Sequence, residues 1–181
     1  QGFNFQIGLA NIGPQRLKIL IKHLSKRDKK LKSVQIQFSL LAPDLLKQNQ
    51  VKKICDENHI DFFAYSPLCF GILCIDPEKD EKSDCTVLRN ALLENYKKPT
   101  YELRRCLKNI AMKRSVSQSQ VAINWCCYQG AIPLVGMRKK SQVIDISNVF
   151  KWNLTENEFQ LLQEVSRNCL KKMPRNPFSS S

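Results

Sequence analysis

Residues 60–68 have the sequence Ile-Asp-Phe-Phe-Ala-Tyr-Ser-Pro-Leu. Residues 60–65 are apolar and aromatic except for one aspartate, which is typical of a β-strand, and Pro67 marks the loop that follows it. Three further stretches have the same β-type character: residues 5–9, 34–38 and 131–135. A helical pattern follows each of the four. Strands that alternate with helices predict parallel βα units, so we expect an α/β protein.

The helical patterns contain apolar residues that share one face of a helix. The apolar positions, grouped by helix, are Leu17, Leu20, Ile21 and Leu24; Val51, Ile54 and Cys55; Leu103, Cys106, Leu107 and Ile110; and Val121, Ala122 and Trp125. Ser117 with Gln120, and Thr155 with Glu158, have the spacing of capping boxes at helix starts. We predict another helix over residues 141–149. The stretch at 69–100 contains a charged run, and we predict an inserted mobile loop there.

Four βα units fit two architectures, a small doubly wound sheet or half of a (β/α)8 barrel, whose full length is about 250 residues. A doubly wound dinucleotide-binding domain begins with Gly-x-Gly-x-x-Gly after a strand, and none of the six glycines is arranged in this way. Periodicity alone does not choose between the two. We assign residues 1–173 to one partial βα domain and predict a flexible tail at residues 174–181.

The composition is that of a folded globular protein. The chain has 181 residues, of which 43% are hydrophobic and 25% are charged. These values exclude wholesale disorder, and the length suits one domain. No stretch approaches the roughly 20 apolar residues that cross a bilayer, so we expect no membrane-spanning segment.

The chain is strongly basic. It has 29 Lys and Arg against 16 Asp and Glu, a net charge of +13, and the excess is concentrated between Arg16 and Lys53. Three interpretations are open: a solvated surface, a site for a small anion such as a phosphorylated cofactor, and a nucleic-acid surface. Aromatic residues do not interleave with the basic ones, which leaves no stacking platform, so we do not expect a nucleic-acid partner.

Eight cysteines accompany only two histidines, His23 and His59. No Cys-x-x-Cys spacing occurs, so we predict no metal site. We interpret most of the cysteines as reduced and partly buried, which predicts an intracellular protein. The cytoplasm is the expected compartment, with the plastid and the mitochondrion as alternatives.

Polar residues follow several strands at their carboxyl ends, where βα folds carry their ligand sites. Asn11 follows the first strand, Gln35 lies within the second, and Tyr65 ends the third. Basic residues from Arg138 follow the fourth. Amides beside an aromatic ring suit a planar amide-bearing heterocycle, and a basic helix start suits a phosphate. Each residue also has a structural interpretation: a helix cap for Asn11, a strand edge for Gln35, core for Tyr65, and surface charge for Arg138.

Five stretches of the chain match the motifs of one family. The stretches are residues 64–68 with Gly71 after them, residues 117–136, residues 8–11, residues 34–40 and residues 152–156. In this order they resemble the seventh strand, the approach to the eighth strand, the fifth strand, the sixth strand and the start of the C-terminal helix of the aldo-keto reductases. The resemblance covers nearly the whole chain.

The resemblance implies the C-terminal half of a (β/α)8 barrel, strands five to eight, that binds NADP(H) and serves the reduction of aldehydes or ketones. Asn11 and Gln35 would hold the nicotinamide carboxamide, and Tyr65 would stack on the nicotinamide ring. Ser66 and Leu68 would line the path of the pyrophosphate.

At the other end of the cofactor, the resemblance places Arg138 and Gln142 near the adenosine 2′-phosphate and Asp145 near the adenine. The basic loop favours NADP over NAD. Two residues depart from the family pattern. Ala10 stands where the family usually has a serine, and Ile146 stands where it has an asparagine.

The catalytic Asp, Tyr, Lys and His of the family lie on its first four strands. No residue of this chain matches those positions, so we predict no catalytic residue here and expect the natural polypeptide to extend upstream of Gln1. Three functions are open. The chain is the cofactor half of a reductase of small carbonyl substrates, a non-catalytic subunit that completes its fold against a partner chain, or a basic βα module associated with nucleic acid.

Overall fold

Four parallel strands form one sheet in the computed structural model, which describes residues 5–42, 44–79 and 87–176. The strands are β1 (Ile7–Ala10), β2 (Leu31–Gln37), β3 (Asp61–Tyr65) and β4 (Ile132–Leu134). They lie side by side in chain order. A doubly wound sheet reverses its strand order, whereas a barrel adds each strand to the same side of the last. The sheet therefore matches part of a (β/α)8 barrel.

Helices connect and follow the strands. They are α1 (Pro14–Ser25), α2 (Leu45–Glu57), α3 (Val87–Lys97), α4 (Tyr101–Arg114), α5 (Gln118–Tyr128), α6 (Lys140–Ser147) and α7 (Glu156–Arg167), with 3-10 turns at Cys69–Cys74 and Val149–Lys151. Among the described residues, every helix is too short or too polar to cross a bilayer.

One face of the sheet is covered by helices. Val34 and Ile36 of β2 and Phe62 and Ala64 of β3 are buried on this face. The core on this side also contains the predicted helix positions Leu17, Val51, Ile54, Leu103, Leu107, Val121 and Trp125, all buried. Those predictions are confirmed, because apolar spacing along a helix is a local signal of its buried side.

The opposite face, which we call the open face, consists of Gln35, Gln37, Phe63, Tyr65, Ile132 and Leu134. The strand register places Phe63 between Gln35 and Ile132, and Tyr65 between Gln37 and Leu134. Ile132 and Leu134 remain 43% and 39% exposed. Parallel sheets are normally covered on both faces, so this half-exposed face is the one that would line the interior of a closed barrel.

The four predicted strands are confirmed, with shifted ends. The first begins at Ile7 rather than residue 5, and Phe5 is 81% exposed. The second begins three residues earlier than predicted, at the buried Leu31. The predicted helix at 141–149 spans Lys140–Ser147.

The two capping predictions have different outcomes. Thr155 and Glu158 form the predicted box at the start of α7. Ser117 caps α5 by accepting the N–H of Gln120, but the Gln120 side chain turns to Asp145 instead of returning to the cap. Gln120 Oε1 accepts from the indole N–H of Trp152, so a donor from another element replaces the Ser117 N–H of a capping box.

The prediction of a loop over residues 69–100 is wrong for most of its described part. Cys69, Ile72 and Leu73 are fully buried, and α3 occupies the second half of the stretch. The buried guanidinium of Arg104 donates to the carbonyl oxygens of Ile75 and Lys97 and so ties both parts to α4. Residues 80–86 of the predicted loop lie outside the described residues.

Candidate cofactor-binding site

Asn11 begins the site at the carboxyl end of β1. Its backbone N–H donates to the carbonyl oxygen of Gln35, at 2.9 Å, which continues the pairing of β1 with β2 by one residue. Its φ of 55° is left-handed, a conformation that asparagine tolerates better than most residues. The N-cap of α1 is Gly13. The capping interpretation of Asn11 is therefore wrong, and its side chain serves a different contact.

That contact is with Tyr65, the last residue of β3. The Tyr65 hydroxyl donates to Asn11 Oδ1 at 2.7 Å and accepts from Asn176 Nδ2 at 2.8 Å. Tyr65 is half-buried on the open face beside Gln37. The core interpretation of Tyr65 is wrong, because alternation along β3 directs Ala64 to the core and Tyr65 to the open face.

Ser66 and Leu68 begin the loop after β3. Ser66 has a φ of 54°, and Cys69 and Phe70 share this left-handed region with the following Gly71. Leu68 is half-buried, packs against the core, and accepts the N–H of Gly71 with its carbonyl oxygen at 2.9 Å. Several non-glycine residues with positive φ in one loop are costly, and such strain concentrates at functional sites.

Arg138 and Gln142 lie together at the start of α6. Gln142 Oε1 accepts the backbone N–H groups of Arg138 and Lys139, at 2.8 and 3.1 Å. The side chains of Arg138, Lys139 and Lys140 are exposed. Cations beside a helix N-terminus form a region that attracts a phosphate.

Asp145 of α6 accepts hydrogen bonds from residues at and near the start of α5. Its two carboxylate oxygens accept from Ser117 Oγ and Gln120 Nε2, each at 2.6 Å. Gln120 in turn accepts from the indole N–H of Trp152 at 3.1 Å. This network holds α6 against α5. Sequence reasoning missed Gln120, whose only signal was its place three residues after the cap. The adenine contact of Asp145 stays a prediction.

The buried thiols are poor nucleophiles. Burial raises the pKa of Cys69 to about 12, although the thiol also donates to Ser39 Oγ at 3.1 Å. Burial likewise raises the pKa of Cys55 to about 12 and that of Cys126 well above its usual value. These thiols are protonated at neutral pH, so they offer no thiolate for covalent chemistry.

Comparison with known proteins identifies the family of this chain. The model of the aldo/keto reductase family matches residues 4–167. The chain belongs to this family. Chloroplastic pyridoxal reductase of Arabidopsis thaliana is 35% identical over 175 residues, which are 96% of this chain and 47% of that protein. NADPH-dependent α-keto amide reductase of Saccharomyces cerevisiae is 26% identical over 160 residues, which cover 88% of this chain and 43% of that protein.

Solved structures show the same fold. The glycerol dehydrogenase of Gluconobacter oxydans superposes with a TM-score of 0.70 at 22% identity, over 97% of this chain and 53% of that structure. The aldose reductase of Schistosoma japonicum superposes with a TM-score of 0.65 at 16% identity, over 96% of this chain and 44% of that structure. This aldo-keto reductase chain therefore spans about half the length of the relatives that it matches.

Six of the eight predicted site residues form two groups in this aldo-keto reductase chain, and the other two, Ser66 and Leu68, lie in the loop after β3. Asn11, Gln35 and Tyr65 are joined by hydrogen bonds or by strand pairing at the carboxyl end of the sheet. The second group, Arg138, Gln142 and Asp145, lies at α6 beyond the end of β4. Because β4 pairs with β3 in parallel, the loops that carry both groups leave the carboxyl end of the sheet.

The two departures from the family pattern lie at these groups. Ala10 is exposed on β1, paired in register with Gln35, and provides no hydroxyl there. Ile146 is half-buried on α6 next to Asp145 and provides no polar atom from its side chain. The amide, aromatic and cationic side chains present can hydrogen-bond, stack on a ring and pair with a phosphate, which are contacts that suit a nicotinamide dinucleotide.

Proposed function

We propose that this chain forms the cofactor-binding half of an NADP(H)-dependent carbonyl oxidoreductase. The observation that carries the proposal is the convergence of Asn11, Gln35 and Tyr65 at the carboxyl end of the sheet. Amide side chains can both donate to and accept from a nicotinamide carboxamide, and an aromatic ring can stack on its heterocycle. When bound, NADPH supplies the hydride that reduces a carbonyl group.

The residues of this chain orient and hold the cofactor in this proposal. Asn11 and Gln35 fix the rotation of the carboxamide, which decides which face of the ring meets the substrate. Ser66 and Leu68 border the pyrophosphate. Arg138, at the N-terminus of α6, pairs with the 2′-phosphate, which NADPH has and NADH lacks.

The acid and base groups lie outside this chain in the same proposal. An aldo-keto reductase uses an Asp, a Tyr, a Lys and a His, and we propose that the other half of the barrel provides them, with the tyrosine as proton donor. The match of this chain to only about half of its relatives' length supports this division. A non-catalytic subunit that completes its barrel against a partner chain is the alternative, and the half-exposed open face supports it equally well.

Pyridoxal is the first substrate to test. The relative with 35% identity is named for the reduction of pyridoxal, an aromatic aldehyde. The same relative is chloroplastic, which adds support to the plastid among the proposed intracellular locations. A fluorescent fusion of the complete natural polypeptide would test the location.

The decisive test is the binding of NADPH and NADH to the complete natural polypeptide that carries this chain, together with its Arg138→Met variant. We expect tighter binding of NADPH, and a loss of about tenfold to hundredfold in NADPH affinity in the variant, because a charge-assisted contact is removed. NADH affinity should not change. Isothermal titration calorimetry would measure both dissociation constants.

Arg27→Met is the matched control, because Arg27 is also exposed and its loss removes the same charge from a distant surface. It should leave both affinities unchanged. If neither nucleotide binds to the unsubstituted polypeptide, the proposal is wrong and the non-catalytic subunit is favoured. If both nucleotides bind and pyridoxal is consumed with NADPH, the subunit alternative is wrong.

A further inference from the structure

The C-terminal segment, residues 171–176, crosses the carboxyl end of the sheet. Its Met173 is 2% exposed, and the Met173 N–H donates to the carbonyl oxygen of Leu41 at 2.8 Å. Further along, Arg175 lies 3.5 Å from the carboxylate of Asp44, which caps α2. A buried side chain and a backbone hydrogen bond therefore hold the segment beside the loops that follow β2.

Asn176, the last described residue of the chain, reaches the candidate site. Asn176 Nδ2 donates to the Tyr65 hydroxyl, and that hydroxyl donates to Asn11 Oδ1, with distances of 2.8 and 2.7 Å. The two hydrogen bonds run in one direction, from Asn176 through Tyr65 to Asn11. Because the Asn176 amide nitrogen can only donate, the hydroxyl oxygen accepts from it and directs its own proton to Asn11.

Two hydrogen bonds on one hydroxyl restrict the ring that carries it. A half-buried tyrosine at a strand end can rotate about its side-chain torsions, whereas two fixed partners select one ring plane. The partners come from residues 54 and 111 positions away, so the ring plane is set by tertiary structure rather than by β3 alone.

We infer that Asn176 is a positioning residue for the nicotinamide end of the cofactor, acting through the hydroxyl of Tyr65. The inference rests on the proposed function, in which the Tyr65 ring stacks on the nicotinamide. It adds one residue of the C-terminal segment, Asn176, to the cofactor site.

The test uses the complete natural polypeptide and two ligands, NADPH and 2′-phospho-ADP-ribose, which lacks the nicotinamide. Asn176→Leu removes the donor and retains the approximate size of the side chain. We expect this variant to bind NADPH about threefold to tenfold more weakly, the effect of one lost hydrogen bond, and to bind 2′-phospho-ADP-ribose with little change. Tyr65→Phe, which retains the ring and removes both hydrogen bonds, should show the same ligand selectivity.

Two further variants separate positioning from simple tethering. Asn176→Gln retains the donor on a longer side chain and should restore most of the NADPH affinity. Arg175→Leu removes the neighbouring contact of the same segment with Asp44 and should leave both affinities unchanged. Far-UV circular dichroism would establish that each variant is folded.

Equal weakening of both ligands in Asn176→Leu would overturn the inference, and so would unchanged NADPH binding. An Arg175→Leu variant that loses NADPH affinity as Asn176→Leu does would overturn it as well, because general tethering would then account for the effect. These failures are distinct from failure of the proposed function, which would show as no NADPH binding by the unsubstituted polypeptide.

Discussion

Backbone strain is the main residue-scale feature of the site. Asn11 follows β1 and Ser66 follows β3, and both are left-handed, with φ values of 55° and 54°. A serine in this conformation costs about 1–2 kcal/mol, because its Cβ approaches the following carbonyl oxygen. These left-handed residues turn the chain away from the sheet directly after β1 and directly after β3, the strands whose ends carry Asn11 and Tyr65.

Glycine at a left-handed position relieves this strain. We expect Ser66→Gly, and likewise Ser115→Gly at the left-handed end of α4, to raise the free energy of unfolding by about 1 kcal/mol. Ser141→Gly in α6 should lower the free energy of unfolding by a similar amount. Ser141 is in a right-handed helix, where glycine loses more conformational freedom on folding than serine does. Urea unfolding measures all three. A Ser66→Gly variant less stable than the unsubstituted protein would contradict the strain argument.

At the element scale, Glu158 both caps α7 and links it to α4. Glu158 closes the capping box with Thr155 and also accepts two hydrogen bonds from Arg114, at 3.0 and 2.7 Å. The hydrogen bond from Arg114 is the main cause that lowers the pKa of Glu158. Arg114 also lies over the Trp152 ring, so this cluster joins α4, α7 and the segment between α6 and α7.

The lowered pKa predicts a pH dependence of stability. Because the folded-state pKa of Glu158 is below its unfolded value, its stabilisation is complete above the unfolded pKa and is lost as the pH falls through the folded pKa. We expect Glu158→Gln to cost about 1–3 kcal/mol at neutral pH and less in acid. Glu164→Gln, an exposed change on the same helix, is the control. A cost of Glu158→Gln that does not fall between neutral pH and about pH 3 would contradict the argument.

At the scale of the whole molecule, the sheet is covered on one side only. Val34 is fully buried beneath the helices, whereas Leu134 on the open face is 39% exposed. The strands β1 and β4 are the two edges of the sheet, and each has one neighbour within the described residues. Parallel strands with one bare face and two edges favour association with other chains.

We therefore expect the 181-residue chain, expressed alone, to self-associate through the open face. Leu134→Glu should raise the dissociation constant of the complex by roughly tenfold, the effect of one leucine withdrawn from a buried contact. Leu161→Glu is the control, because Leu161 is 47% exposed but lies on α7. Sedimentation velocity at several concentrations measures the association. Equal effects of the two variants would show that the open face is not the surface involved.

The four strands, the buried helix faces and the family could be predicted from the amino-acid sequence. Strand alternation and helical spacing are local patterns, because each records which side of one element meets the core. The strand-end positions of Asn11 and Tyr65 followed from the same patterns, and their proposed roles followed from the family resemblance. The loop predicted at 69–100 failed because the contacts that order it, such as those of Arg104, come from another element.

Which polar groups contact one another depends on the packing of the folded chain. The partners of Tyr65 lie 54 and 111 positions away. The Gln120 side chain, which the sequence pattern assigned to a capping box, donates to Asp145, 25 positions away. Neither pairing has a periodic signal in the chain. A hydrogen bond depends on the distance and angle between two atoms, and for residues on different elements the packing of the whole fold sets both.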